Sequence, residues 1–301
     1  KVSWEDIAAK AKAAWETKHR TDQTLITVGM GSCGIISGAP QVMAALEKEL
    51  RRRNITARLS QVGCVGLCYA EVIVDITRPG QPRTSYGRVT PEMVPQLVED
   101  CLVKGNPRPD LALGAEERRD GIPAYREMPY FQPQHRATLA NAGVTDPEEI
   151  DDYIARGGYS GLARCLRELS PDNVIDIVKK AGLRGCGGAA FPAGQKWEFC
   201  RRSPGQEKYL LCNADEGNPG TFKDRIIMEG DPHRLVEGML IGGYAIGAPY
   251  GYIYLRDEYP LAYHRLQRAI AQAEERGLLG DKVLGSNFNF RLRVAKGAGA
   301  Y

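Results

Sequence analysis

Gly182-Leu183-Arg184-Gly185-Cys186-Gly187-Gly188-Ala189-Ala190-Phe191-Pro192-Ala193-Gly194-Gln195-Lys196-Trp197 packs four glycines into its first seven residues, then adds a proline and a lysine. Glycine takes positive φ without steric cost and lets a backbone approach a ligand closely. Such a loop can turn several N–H groups toward one anion, with a nearby lysine balancing the charge. Alone, the stretch fits a plain turn as well as a phosphate cradle.

The residues on either side narrow the reading. Ser170-Pro171 to Ala181 reads as a capped helix leading into the loop. Downstream, Tyr209 to Cys212 reads as a strand ending at Asn213, followed by Asn213-Ala214-Asp215-Glu216-Gly217-Asn218-Pro219-Gly220-Thr221-Phe222-Lys223-Asp224-Arg225. Tyr250 to Leu255 and Phe290 to Val294 are further strands, with an amphipathic helix over Pro260 to Arg276 between them. Strands alternating with helices imply an α/β layer with a largely parallel sheet. Ligand loops in such sheets sit at the carboxyl ends of strands, where Asn213 and Gly297-Ala298-Gly299-Ala300-Tyr301 fall.

In order and spacing, these motifs resemble the flavin-bearing, NADH-oxidising subunit of respiratory complex I and its relatives, the diaphorase subunits of soluble NAD(P)-linked hydrogenases and formate dehydrogenases. The likeness is close from Ala140 to Tyr301. It implies a Rossmann-like FMN-binding α/β domain, with Gly185, Gly187 and Gly188 in close backbone contact with FMN. Asn213, Asp215 and Glu216 would hydrogen-bond the flavin's polar edge and ribityl chain. Phe191 and Phe199 match aromatic positions over the nicotinamide nucleotide, Lys196 would neutralise phosphate charge, and Tyr301 would lie beside the same site. Taken singly, the two phenylalanines also fit core positions, Lys196 a surface lysine, Asp215 and Glu216 a turn cap, and Arg184 an ion-pair partner. No catalytic side chain is assigned, because hydride transfer from NAD(H) or NADP(H) to a flavin depends on placement of the two rings.

Two departures from the family pattern stand out. Cys186 replaces a second arginine, read as a tolerated loop substitution. Asn218 replaces a glutamate whose carboxylate would repel the 2′-phosphate of NADP(H), so weaker discrimination between the two nicotinamide cofactors is expected.

The N-terminal third resembles the thioredoxin-like ferredoxin module fused to some of these relatives. Trp4, Ile7, Ala8, Ala11 and Trp15 give a helical stripe, Leu25 to Val28, Ala57 to Val62 and Glu71 to Ile76 read as strands, and Gly38 to Arg53 reads as a helix. Thr90 is read as an N-cap with Pro91 at the first helical position. Thioredoxin-like ferredoxins bind a [2Fe–2S] cluster through C-x4-C followed by C-x3-C. Cys33, Cys64 and Cys68 match the last three ligands, and the first falls on Val28, which cannot ligate. Ser32 is poorly spaced as a substitute and His19 is remote. The module therefore carries either a cluster with an unusual fourth ligand or a cluster-free docking surface. Cys101, Cys165, Cys200 and Cys212 lie in apolar contexts and are read as packing residues.

At 301 residues, length suggests two domains, expected as 1–105 for the ferredoxin-type module and 135–301 for the FMN/NAD(H) domain, with 106–134, which holds five prolines, as a linker. The 40 basic and 37 acidic residues nearly cancel, and Arg51-Arg52-Arg53 reads as a solvated helix end rather than a nucleic-acid patch. The apolar stretch Leu235 to Leu255 is broken by Glu237, several glycines and Pro249, and reads as a buried helix and a strand rather than a membrane span. The opening Lys1-Val2-Ser3-Trp4 shows no secretory pattern, and its lack of an initiator methionine points to processing or an incomplete start. Eight cysteines in a cytoplasmic context argue against a disulfide framework.

The family continues past Gly-Ala-Gly-Ala-Tyr with Cys-Gly-Glu-Glu, a small β module and a helical domain holding a [4Fe–4S] cluster, so a truncated chain is expected. The resemblance implies an NAD(P)H:acceptor oxidoreductase subunit, cytoplasmic or peripheral on a membrane complex. It would work with the iron–sulfur subunits of a hydrogenase, formate dehydrogenase, electron-bifurcating assembly or complex I. The alternative is a non-catalytic docking or electron-transfer subunit with degenerate sites.

Overall fold

The computed structural model describes residues 3–20, 22–205 and 207–298. The chain divides into two compact units: Ala13–Glu149 with Glu229–Asp231, and Lys1–Lys12 with Ile150–Met228 and Pro232–Tyr301. Helix α1 (Trp4–Lys18) buries Ile7 and Ala11. Ser3 opens it: the Asp6 N–H donates to the Ser3 hydroxyl at 3.1 Å, and the Ser3 N–H donates back to the Asp6 carboxylate at 3.2 Å.

The first unit follows as β1 (Thr24–Gly29), α2 (Ser32–Ile36), α3 (Ala39–Arg53), β2 (Ala57–Val62), β3 (Val74–Thr77), β4 (Thr84–Tyr86), α4 (Val94–Val98) and β5 (Ala112–Ala115). The sheet order is β2-β1-β3-β4-β5, with β1 parallel to β2 and the other pairs antiparallel. This βαβ unit followed by ββα is the thioredoxin-like arrangement. Alternation along the strands sends Ile26, Val28, Val74 and Ile76 into a core with Val42, Leu46 and Leu97. The basic run at the end of α3 is internally paired: Arg52 and Arg53 bond Glu49, and Arg53 also reaches Glu99.

Three boundaries differ from the sequence expectation, the first being the strand read from Glu71, which begins at Val74. The helix expected from Pro91 begins at Val94, after a turn in which the Met93 N–H donates to the Thr90 carbonyl. A helix started at Pro91 would need an N–H from Pro95 to bond its first carbonyl, and proline has none. Residues 106–134, expected as a linker, contribute β5 to the sheet and bury Ile122 and Ala124. The first compact unit accordingly extends to Glu149.

The second unit contains α5 (Ile150–Ala155), α6 (Ser160–Glu168), α7 (Pro171–Lys180), α8 (Ala193–Arg202), β6 (Tyr209–Ala214), α9 (Lys223–Gly230), α10 (Pro232–Ile246), β7 (Tyr250–Leu255), α11 (Pro260–Glu275) and β8 (Arg291–Lys296). Its sheet is wholly parallel, in the order β6-β7-β8. The apolar stretch read as helix plus strand is α10 and β7. A Cβ at Gly243 or Gly251 would meet the Phe290 ring at 2.4 or 2.6 Å, so these glycines admit that ring to the core. No helix among the described residues is long and apolar enough to cross a membrane. Glu237 of α10 anchors the neighbouring helices: its carboxylate accepts from Tyr153 Oη at 2.6 Å, the Tyr159 N–H at 2.7 Å and the Leu162 N–H at 3.1 Å. Ser170 caps α7 by accepting from the Asn173 N–H.

Candidate functional site

The glycine loop leaves α7 and closes on itself before α8. The Gly185 N–H donates to the Phe191 carbonyl at 2.9 Å and the Ala193 N–H to the Leu183 carbonyl at 2.8 Å. Gly188 has φ +104°, a conformation that excludes most side chains. A Cβ added at Gly187 or Gly188 would meet no atom within 4 Å, so the loop presents bare backbone to open space.

Facing it is the carboxyl end of β6. Together they form a cleft of about 620 Å³, within the size range of ligand sites. Gly187, Gly188, Asn213, Asp215, Glu216 and Asn218 all line it. Gly185 does not, and its N–H is already engaged.

The loop after β6 is tightly braced. The Asp215 N–H donates to Asn213 Oδ1 at 3.1 Å, and Arg256 Nη1 donates to the Glu216 carbonyl at 2.6 Å. Thr221 Oγ1 donates to the Asn218 carbonyl at 2.6 Å. The Glu216 carboxylate is buried and already occupied. It accepts from the Asp224 N–H at 3.0 Å, the Arg225 N–H at 3.2 Å and Tyr259 Oη at 3.1 Å. Two of these donors are backbone N–H groups in the first turn of α9, where a helix offers no carbonyl of its own to accept them, so Glu216 serves as that helix's anionic cap. This matches the simpler reading of Glu216 as a cap, and it leaves the carboxylate little capacity for a ligand.

The remaining expected residues are placed differently. Phe191 and Phe199 are 45% and 54% exposed and do not line the cleft; Lys196 is exposed and also outside it. Tyr301 lies outside the described residues. Lys223, at the start of α9, lines the cleft instead, as does Cys212, which the sequence suggests as a packing residue; burial pushes its thiol up to about 11. Lys223 Nζ donates to Asp224 Oδ1 at 2.6 Å. The sequence signal for Lys223 is its position in the first turn of a helix directly after the Asn-x-Asp loop. Cys186 also borders the cleft, with an exposed thiol.

A glycine-lined cleft at the carboxyl end of a parallel strand, with fixed amide and carboxylate groups opposite, is the setting for a nucleotide-like ligand. Residues 178–301 match the family model of the Nuo51 FMN-binding domain. Every cleft-lining residue falls inside this Nuo51-like segment. The chain is 53% identical over 163 residues to one of the NADH-quinone oxidoreductase subunits of Rhizobium meliloti (strain 1021), covering 54% of this chain and 39% of the relative. It is 54% identical over 168 residues to NADP-reducing hydrogenase subunit HndC of Solidesulfovibrio fructosivorans, covering 56% of this chain and 34% of that one. The chain thus spans well under half the length of these curated relatives. A solved NAD+-reducing [NiFe]-hydrogenase in the H2-reduced state aligns over 99% of this chain and 47% of its own, at 26% identity and a TM-score of 0.43.

In the first unit, Val28 is fully buried in the core, where it cannot serve a metal. Gly31 passes so close to Cys64 that a Cβ there would stand 2.8 Å from the cysteine's own. The Ser32 hydroxyl and N–H both donate to Glu229, at 2.5 and 2.9 Å. Burial pushes the Cys64 thiol up to about 12; the Gly66 N–H opposes this, and Cys68, Glu71 and Cys33 add to it. Glu71 is therefore an acidic group beside these thiols that the cysteine spacing does not announce. Burial raises its carboxyl to about 7, and its Oε1 is enclosed without a hydrogen-bond partner. Among the described residues, no three His, Cys, Asp or Glu side chains are disposed to hold a metal ion. As they stand, the thiols do not fit the expected cluster. Cys101 and Cys165 are buried packing residues, as expected, and all eight cysteines are free thiols.

Proposed function

We propose that this chain is part of an NAD(P)H:acceptor oxidoreductase subunit whose second unit binds FMN in the cleft between the Gly187-Gly188 loop and the carboxyl end of β6. The observation that carries this reading is the convergence of Gly187, Gly188, Asn213 and Asp215 on one cleft within the segment matching the Nuo51 FMN-binding domain. When bound, FMN supplies the chemistry, accepting a hydride from a nicotinamide and releasing electrons singly.

The chain's own residues bind and orient. The bare glycine backbone lets a planar or phosphorylated group approach closely, and Asn213 and Asp215 offer polar contacts from a loop already fixed by internal hydrogen bonds. Lys223, paired here with Asp224, also lines the cleft, and its ammonium would turn to a bound phosphate in exchange for that partner. Glu216 positions this loop by capping α9, and no protein acid or base is required. Asn218, at the rim, lacks the charge that would repel a 2′-phosphate, which fits use of NADP(H) as well as NAD(H).

By similarity to subunits of larger redox assemblies, the acceptors would be iron–sulfur subunits of a hydrogenase, formate dehydrogenase, bifurcating assembly or complex I, with the protein cytoplasmic or peripheral on a membrane complex. The docking-subunit reading draws on the first unit, where Val28 is buried and the three thiols lack a metal geometry. Flavin content separates the two. The protein purified in its native assembly is expected to contain FMN whose visible absorption bleaches when NADH is added anaerobically. Absence of flavin, even after FMN is supplied, would favour the docking reading.

A further inference from the structure

The sheet of the first unit has a second face, opposite the Val28 and Val74 core. Register places Thr27, Asp75 and Ser85 in one row across β1, β3 and β4, level with Gly114 of β5. Asp75 is only 6% exposed. Its carboxylate accepts from the Ser85 hydroxyl and, at 3.5 Å, from the Thr27 hydroxyl, and it faces Arg83 Nη1 at 3.6 Å. The Ser85 hydroxyl also lies 2.6 Å from Tyr125 Oη. Apolar side chains of similar volume would hold this face together at least as well as a buried ionic row. The row therefore needs a reason beyond folding.

It borders a cavity of about 440 Å³, covered by the segment from Tyr125 to Val144. Most of the lining is apolar, including Leu67, Leu113, Met128, Phe131 and Val144. Two guanidinium groups also line it. Arg83 Nη1 donates to the Gly143 carbonyl at 2.6 Å, while its Nε is closed off from water without a partner. Arg136 donates to the Val65 carbonyl at 2.6 Å and to Gln134 Oε1 at 3.1 Å, and its guanidinium lies 5.0 Å from the Phe131 ring centre. Among the described residues no carboxylate is paired with Arg136; burial lowers its pKa, and Tyr130 and Cys64 act against that. The lining thus carries two cations against one carboxylate, and burial pushes that carboxyl toward its neutral form. A half-buried cation without an opposing charge is costly, and an anion entering the cavity would relieve that cost.

We propose that this cavity binds a small organic acid: a carboxylate held by Arg136 and Arg83 on an apolar body lying against Leu113, Met128 and Phe131. The site is separate from the flavin cleft, which belongs to the other unit.

The test is calorimetric titration of the chain with hexanoate, hexanol and hexylammonium, three probes of equal apolar length and different head charge. Hexanoate should bind at least about tenfold more tightly than hexanol, and hexylammonium more weakly than either. In a sample with 13C-labelled methionine methyls, hexanoate should shift Met128 and leave Met228, which lines the flavin cleft, unmoved. Arg136→Gln should remove the preference for hexanoate without weakening hexanol, and Ala142→Trp should exclude both. Equal binding of hexanoate and hexanol, no binding of hexanoate, or a shift of Met228 instead of Met128 would each overturn the proposal. The comparison of probes on the unsubstituted chain decides even if a variant fails to fold.

Discussion

Replacing Glu216 with alanine separates a positioning role from a ligand contact. The side chain is 7% exposed and accepts three hydrogen bonds, from the Asp224 and Arg225 N–H groups and from Tyr259 Oη. Hydrogen bonds to a charged acceptor contribute about 1.5–3 kcal/mol each, and part is recovered where water reaches the freed N–H groups. The favourable placement of a negative charge at the start of α9 adds about 0.5 kcal/mol. A net loss of about 3 kcal/mol for Glu216→Ala follows, roughly a hundredfold in the local opening equilibrium. Glu216→Gln keeps an oxygen acceptor but loses the charge, so its cost should be about 1 kcal/mol. Amide hydrogen exchange reads this locally, and the presence of two units does not confuse it. Asp224 and Arg225 should exchange about a hundredfold faster in Glu216→Ala, with amides in β7 unchanged. If exchange at these two amides is unaltered while FMN affinity falls, Glu216 acts on the ligand rather than on α9, and the positioning argument fails.

Three further outcomes can be checked. Asn218→Glu restores a carboxylate at the cleft rim and should lower the NADPH-to-NADH ratio of flavin reduction rates at least about tenfold; an unchanged ratio would remove Asn218 as a determinant. Gly194→Ala places a Cβ 2.6 Å from Lys179 Cγ and 2.7 Å from the Lys179 nitrogen of α7, so it should cost about 2 kcal/mol, read as a lower urea midpoint with an unchanged slope. His233 is buried against Tyr159 and Gln272, and burial lowers its pKa to about 4. The unfolded chain, with a histidine pKa near 6.5, takes up this proton first as pH falls. This contribution to stability is whole above about pH 6.5 and is lost toward pH 4, by at most about 1.4 kcal/mol per pH unit. His233→Gln should flatten urea midpoints across that window, and a variant with the same pH slope as the parent would refute the assignment.

What the sequence revealed depended on how local each determinant was. The strands β6, β7 and β8 and helix α10 were readable because their apolar periodicity is their own, and Gly187 and Gly188 declared a bare loop by composition alone. Strand β5 was not, since Ala112-Leu113-Gly114-Ala115 has weak strand preference and owes its state to pairing with β4. The start of α4 was misplaced because two prolines four residues apart compete for the same helix entry. Within the site, the order of motifs identified the loops but not the job of each side chain. Glu216 could be read locally as a cap, but its commitment to α9 is completed by Tyr259, 43 residues downstream, which no local pattern announces. Phe191 in the loop and Phe199 on α8 have the family spacing and are both exposed, outside the residues that line the cleft. The cavity of the first unit is less legible still, because Arg83 and Arg136 come to line one space only when the segment from Tyr125 to Val144, partly read as a linker, folds over the sheet.

The most direct test of the central claim is anaerobic titration with NADH of the protein purified in its native assembly, following visible flavin absorption alongside quantified FMN. One FMN per chain is expected, bleached by NADH, with stoichiometric binding lost when Gly187→Trp fills the cleft. A native protein without flavin, or one whose flavin content is unaffected by Gly187→Trp, would contradict it.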